Sequence, residues 1–90
     1  MSTVKIPPVL REYTDGKREL SADGSNVGEV LRSLAASHPA TESQLFSESG
    51  ELNRYVNVYV NDEDVRFTGA LETPLKDGDS VTVLPAVAGG

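Results

Sequence analysis

An α+β fold, one main helix against a mixed sheet of four to five strands, is predicted by three features of this 90-residue sequence. One segment, opening at Asn26, has the periodicity and the end signals of an amphipathic helix. Several short segments alternate apolar and polar residues, most clearly 55–60 and 80–85. These strand-like segments lie on both sides of the helix in the chain, so a single helix must cover a sheet drawn from both halves. Elements that are apolar on one face pack as two layers around one core.

The elements follow in order. Val4 and Ile6 alternate with Thr3 and Lys5 as a short strand that ends near Pro7-Pro8, because proline cannot donate to a ladder. Tyr13-Thr14-Asp15-Gly16 is turn chemistry, and Lys17 to Ala22 reads as a second strand closing an N-terminal hairpin with a long connection. Asn26 is a good N-cap, with Glu29 three residues on as in a capping box. Val27, Val30, Leu31 and Leu34 then form one apolar stripe, and His38-Pro39 stops the helix. Residues 40–54 are polar, with Leu45, Phe46 and Leu52 expected to pin a loop or short helical turn to the core.

Tyr55 to Val60 carries the strongest strand pattern: Val56, Val58 and Val60 on one face, Tyr55, Asn57 and Tyr59 on the other. Asn61-Asp62-Glu63-Asp64 reads as a turn and Val65-Arg66-Phe67 as a short return strand. Leu71 and Leu75 flank Pro74 in a connector. Asp77-Gly78-Asp79 is another turn, and Ser80 to Pro85 is the last strand, with Val81 and Val83 inward. The order strand, strand, helix, strand, strand, strand is that of a β-grasp. The expected organisation is one domain over residues 1–85 and an extended tail over 86–90.

Composition narrows the function. The net charge is −6, and there is one histidine and no cysteine. An acidic chain is a poor fit to nucleic acid or an anionic membrane surface and a good one to basic protein partners. The start of the sequence lacks the charged-then-apolar pattern of a signal peptide, and no run approaches the ~18 apolar residues of a membrane span, so a cytoplasmic protein is expected. Without cysteine there is no disulfide or thiolate metal site, and any sulfur the protein handles has to be acquired.

The C-terminal run Asp77-Gly78-Asp79-Ser80-Val81-Thr82-Val83-Leu84-Pro85-Ala86-Val87-Ala88-Gly89-Gly90 carries a family resemblance. A Gly-Asp turn, an alternating strand, a proline and a short tail closing on two glycines resemble the ubiquitin-like sulfur carriers. That family includes the small subunit of molybdopterin synthase and the thiamine sulfur carrier. The Val56–Arg66 block, the helix start Asn26-Val27-Gly28-Glu29-Val30-Leu31 and the ending Ala86-Val87-Ala88-Gly89-Gly90 resemble in particular the actinobacterial carriers of cysteine biosynthesis. The resemblance departs mainly in residues 40–54.

The resemblance implies a ubiquitin-like β-grasp and a mechanism. The Gly90 carboxylate is joined to AMP by an activating enzyme that uses ATP, and a sulfur donor then displaces AMP to leave a thiocarboxylate. A free carboxylate is a poor electrophile, and adenylation supplies its leaving group. The implied partners are this adenylating and sulfurtransferase enzyme, a sulfur-accepting enzyme (a pyridoxal-phosphate-dependent cysteine synthase) and a zinc peptidase. The carrier binds no cofactor or metal itself and is a protein co-substrate, not an enzyme. Gly90 is the reacting residue. Gly89, without a Cβ, lets the backbone pass closely through a partner's channel, and Ala86, Val87 and Ala88 are small enough to follow. From Pro85 the tail reaches at most ~20 Å.

Other residues have plainer readings. Asp62, Glu63 and Asp64 suit a solvated turn better than a cation site, since no calcium-loop spacing is present. His38 marks a helix end, and Arg11, Lys17 and Arg18 read as ordinary surface charges. Tyr55, Tyr59 and Leu84 should face away from the helix and present an apolar patch to partners. Alternatives are sulfur donation to a molybdopterin precursor, the thiamine thiazole or a specialised metabolite, and, in a different class, a ubiquitin-like interaction module or modifier.

Overall fold

A computed structural model describes residues 2–53 and 55–85. The strands are β1 (Ser2–Lys5), β2 (Glu19–Ala22), β3 (Val56–Val60), β4 (Glu63–Asp64) and β5 (Ser80–Pro85), and the helices are α1 (Val27–Ser37) and the single turn α2 (Glu42–Leu45). The sheet order is β2-β1-β5-β3-β4. β1 and β5 run parallel in the centre, while β2, β3 and β4 join by antiparallel pairings. The strand added last is therefore inserted in the middle of the sheet, as in a β-grasp.

The helix forms where its end signals stand. Asn26 Oδ1 accepts the Glu29 amide at 2.8 Å, and Glu29 Oε1 accepts the Ser25 amide at 3.0 Å. The reciprocal bond thus reaches one residue further upstream than a standard capping box, to Ser25. The Glu29 carboxyl is held below its ordinary range by these Ser25 bonds and, to a lesser extent, by Arg32. Residues 25–27 also bond to 73–75, with the Val27 amide donating to Thr73 O and the Leu75 amide to Ser25 O, both at 3.0 Å. Gly28 permits this approach: a Cβ there would meet Leu71 O at 3.0 Å.

Val27, Val30, Leu31 and Leu34 pack on Val4, Ile6, Val56, Val58, Val81 and Val83, the core expected from periodicity. Leu10, Leu45 and Val65 join them. Phe46 and Leu52 bridge to each other within the 40–53 segment and pack against the core, and the Arg32 guanidinium lies 5.9 Å from the Phe46 ring centroid.

Three sequence expectations need correction. Val65–Phe67 is a 3₁₀ turn, and the return strand is Glu63–Asp64. Asp64 Oδ1 accepts the Arg66 amide at 2.9 Å, which curls the chain and drives Val65 into the core. Pro8–Thr14, within the long connection expected between the first two strands, is a 3₁₀ segment whose Leu10 is buried. The second strand begins at Glu19, because the Thr14 hydroxyl and amide-bonded turn engage Lys17.

Candidate functional site

The candidate site is the end of the sheet at which β5 finishes. β5 pairs with β1 from Thr3↔Ser80 to Lys5↔Thr82, and with β3 from Val60↔Val81 to Val56↔Pro85. Beyond Thr82 it continues beside β3 alone, since β1 gives way to Pro7 and the 3₁₀ segment. Val81 and Val83 are buried and fix the strand to the core. Pro85 closes the described part of β5, and residues 86–90, which contain the predicted reacting Gly90 with Gly89, Ala88, Val87 and Ala86, lie outside the described residues.

The outer face of the sheet holds two of the three predicted partner residues together. Tyr59 stands opposite Thr82, and Leu84 stands opposite Asn57, on strands that neighbour each other. Leu84 is 41% exposed and Tyr59 half-buried. Tyr55 is 59% exposed but precedes β3 instead of lying in it, with its amide donated to Asn53 Oδ1 at 2.9 Å. Asn57 was not singled out in the sequence, although the alternation places it between the two tyrosines. Its Oδ1 is buried without a hydrogen-bond partner. Arg66 was also missed: its guanidinium donates to Val56 O at 3.4 Å, on the residue paired with Pro85.

The start of β5 is held by a polar lock. Asp79 Oδ2 accepts the Lys76 amide at 2.8 Å and Asp79 Oδ1 accepts the Asn61 side-chain amide at 3.0 Å. These bonds, assisted by the Lys76 charge, hold the Asp79 carboxyl below its ordinary range. Asn61 and Asp62 both have positive φ, 49° and 75°, as a two-residue hairpin turn requires.

Among the described residues, no three His, Cys, Asp or Glu side chains gather as a metal site. No helix among them is long and apolar enough to cross a membrane. Two open grooves flank Arg32, one towards Phe46 and one towards Leu71, and neither is lined by β5. His38 lies 4.0 Å from Asp15, at the end of α1. The feature that β5 offers is a firmly held strand whose last described residue, Pro85, lies at one end of the sheet.

The sequence matches the model of the ThiS family over residues 4–90. The chain belongs to the ThiS family, the ubiquitin-like sulfur carriers. It is 52% identical over 90 residues to the sulfur carrier protein CysO of Mycobacterium tuberculosis, covering 98% of this chain and 97% of the relative. It superimposes with a TM-score of 0.92 and 48% identity on a chain from the crystal structure of the Amycolatopsis orientalis BexX/CysO complex, with full coverage of both chains. Small archaeal modifier protein 3 of Haloferax volcanii is 44% identical over 68 residues, covering 76% of this chain and 73% of that protein. As a member of this family, the chain has the ubiquitin-like β-grasp that the sequence predicted.

Proposed function

We propose that this protein carries sulfur as a C-terminal thiocarboxylate on Gly90 and delivers it for cysteine biosynthesis. The observation that carries the reading is 52% identity, over almost the whole of both chains, to a sulfur carrier. The central, doubly paired position of β5 supports it. A strand clamped by Val81 and Val83 resists being pulled from the body while residues 86–90 enter a partner.

In this mechanism an adenylating enzyme spends ATP to convert the Gly90 carboxylate to an acyl-adenylate, and the incoming sulfur displaces AMP. The carrier supplies the acyl group and a docking face, Tyr55, Tyr59 and Leu84, while the catalytic groups and ATP belong to the partner. Gly89 and the small residues 86–88 let the tail pass through a narrow channel. The protein is then a co-substrate of cytoplasmic enzymes, and 1–85 is the body that stays outside them. The accepting enzyme is a pyridoxal-phosphate-dependent cysteine synthase, whose cofactor provides an electrophilic carbon for the thiocarboxylate sulfur. An acyl shift to nitrogen leaves cysteine amide-linked to Gly90, and a zinc peptidase frees it.

The test incubates thiocarboxylated protein with the cysteine synthase of the same genome and its activated serine substrate. A gain of about 103 Da over the carboxylate form, one cysteine residue, supports the pathway. Sulfur loss only with a molybdopterin, thiazole or thiosugar enzyme would reassign it. The likeness to an archaeal modifier protein favours a second reading, isopeptide attachment of Gly90 to lysines of other proteins. Conjugates that persist under denaturation and reduction would mark that activity.

A further inference from the structure

The strand directions divide the charged groups of the sheet layer between its two ends. β1 and β5 run parallel while β2 and β3 run against them, so Lys5, the entry to β2 and the entry to β3 share the end where Pro85 lies. Lys5 closes β1, and Lys17-Arg18 lead into β2, with Arg18 O accepting the Ile6 amide at 2.7 Å. Arg11 Nε donates to Ile6 O at 3.2 Å, and Arg66 reaches Val56 O beside Pro85. Lys5, Lys17, Arg18 and Arg66 are exposed, and Arg11 is half-buried. Glu12, Asp15 and Glu19 are interspersed on that end of the sheet layer, and the Asp64 carboxylate accepts the Arg66 amide at 2.9 Å. The opposite end carries Asp23, Asp62, Glu63, Asp77 and Asp79, with Lys76 as the cation among them. Five of the eight lysines and arginines, Lys5, Arg11, Lys17, Arg18 and Arg66, thus stand at the Pro85 end of a chain of net charge −6, while Arg32 lies on α1 and Lys76 at the opposite end.

We infer that this collar, which includes the exposed Lys17 and Arg18, docks on an activating enzyme whose channel mouth is rimmed by carboxylates. The inference rests on the sulfur-carrier reading and names the chemistry of the partner's surface. Charge complementarity decides it. A uniformly acidic carrier would be attracted by a basic surface in any orientation, whereas this polarised one is turned tail-first only by an acidic mouth. The acidic far end is repelled from the same mouth, which disfavours backward encounters. The activating enzyme is the occupant because every sulfur-transfer route for this carrier begins there, whichever enzyme accepts the sulfur.

The test measures kcat/KM for adenylation of the full-length protein by the ThiS-activating enzyme of the same genome, across ionic strength. Lys17→Glu with Arg18→Glu should lower kcat/KM about tenfold at low salt, mainly through KM, and flatten its salt dependence. Asp23→Lys with Glu63→Lys, at the opposite end, should leave it unchanged or lower it far less. Circular dichroism melting of each variant checks that the body is intact. Equal kcat/KM and equal salt slopes for the collar variant and parent, or a faster collar variant, would overturn the inference while leaving the carrier reading in place. Failure of the parent itself to be adenylated would overturn the carrier reading and this inference with it.

Discussion

Asn61 clasps Asp79 with its side chain and Ser80 with both side chain and backbone. Its Nδ2 donates to Asp79 Oδ1, its Oδ1 accepts the Ser80 amide, and its own amide donates to Ser80 O, all at 3.0 Å. The β3–β4 hairpin turn is thereby tied to the first residue of β5, Ser80, nineteen residues on from Asn61 in sequence. This lock fixes where β5 starts, and hence its register between β1 and β3.

The lock should be acid-sensitive. The Asp79 carboxyl is lowered from its ordinary value of 3.8 by the Lys76 amide and the Asn61 amide. A group whose pKa falls on folding stabilises the folded state above its unfolded value and loses that contribution as pH drops through the folded one. Asp79→Asn should therefore melt below the parent at neutral pH, and the gap should close as pH falls below 3.8. A gap unchanged down to pH ~2 would remove the carboxylate from the lock.

Leu31 is fully buried at the centre of the helix–sheet contact. Leu31→Ala should cost about 2–5 kcal/mol, a large part of a small domain's stability. Urea denaturation read by circular dichroism measures it. A midpoint equal to the parent's would contradict the packing described.

Helix capping is separable from the core. Asn26→Ala deletes the acceptor of the Glu29 amide and should cost about 1 kcal/mol, with Asn26→Asp largely retaining the cap. Thermal melts of the two variants distinguish a lost cap from a general disturbance of the 25–27 and 73–75 pairing, which would affect both equally.

Much of this fold was legible because its signals are local. The i, i+3, i+4, i+7 stripe at Val27–Leu34 and the alternation at 55–60 and 80–85 each report burial directly. Val65-Arg66-Phe67 misled because alternation is also what a tight turn shows when one side chain points inward. There the Asp64–Arg66 bond decided between the two. Arg66 and Asn57 acquire their position through pairing with residues around Pro85, which no local pattern reveals. Tyr59 and Leu84 were legible as outward residues, since inward valines on both strands force it. The tail chemistry was read from the terminal residues and family resemblance, and residues 86–90 lie outside the described structure.

The outer face offers a graded test of docking. Leu84→Ser should raise KM for adenylation roughly fivefold, equivalent to about 1 kcal/mol, while leaving the melting temperature near the parent's. Leu84 is partly exposed and does not belong to the buried cluster. Unchanged KM would place the activating enzyme's footprint elsewhere.

The central claim is that Gly90 is the sulfur-bearing residue, and the intact mass of the protein tests it most directly. After incubation with the activating enzyme, ATP and a sulfur source, the parent should gain about 16 Da as one terminal oxygen becomes sulfur. The variant lacking Gly90 should fold like the parent and gain nothing, and Gly89→Val should gain little. A parent that forms no thiocarboxylate, or a Gly90-deleted chain that still acquires the same mass, would contradict the account.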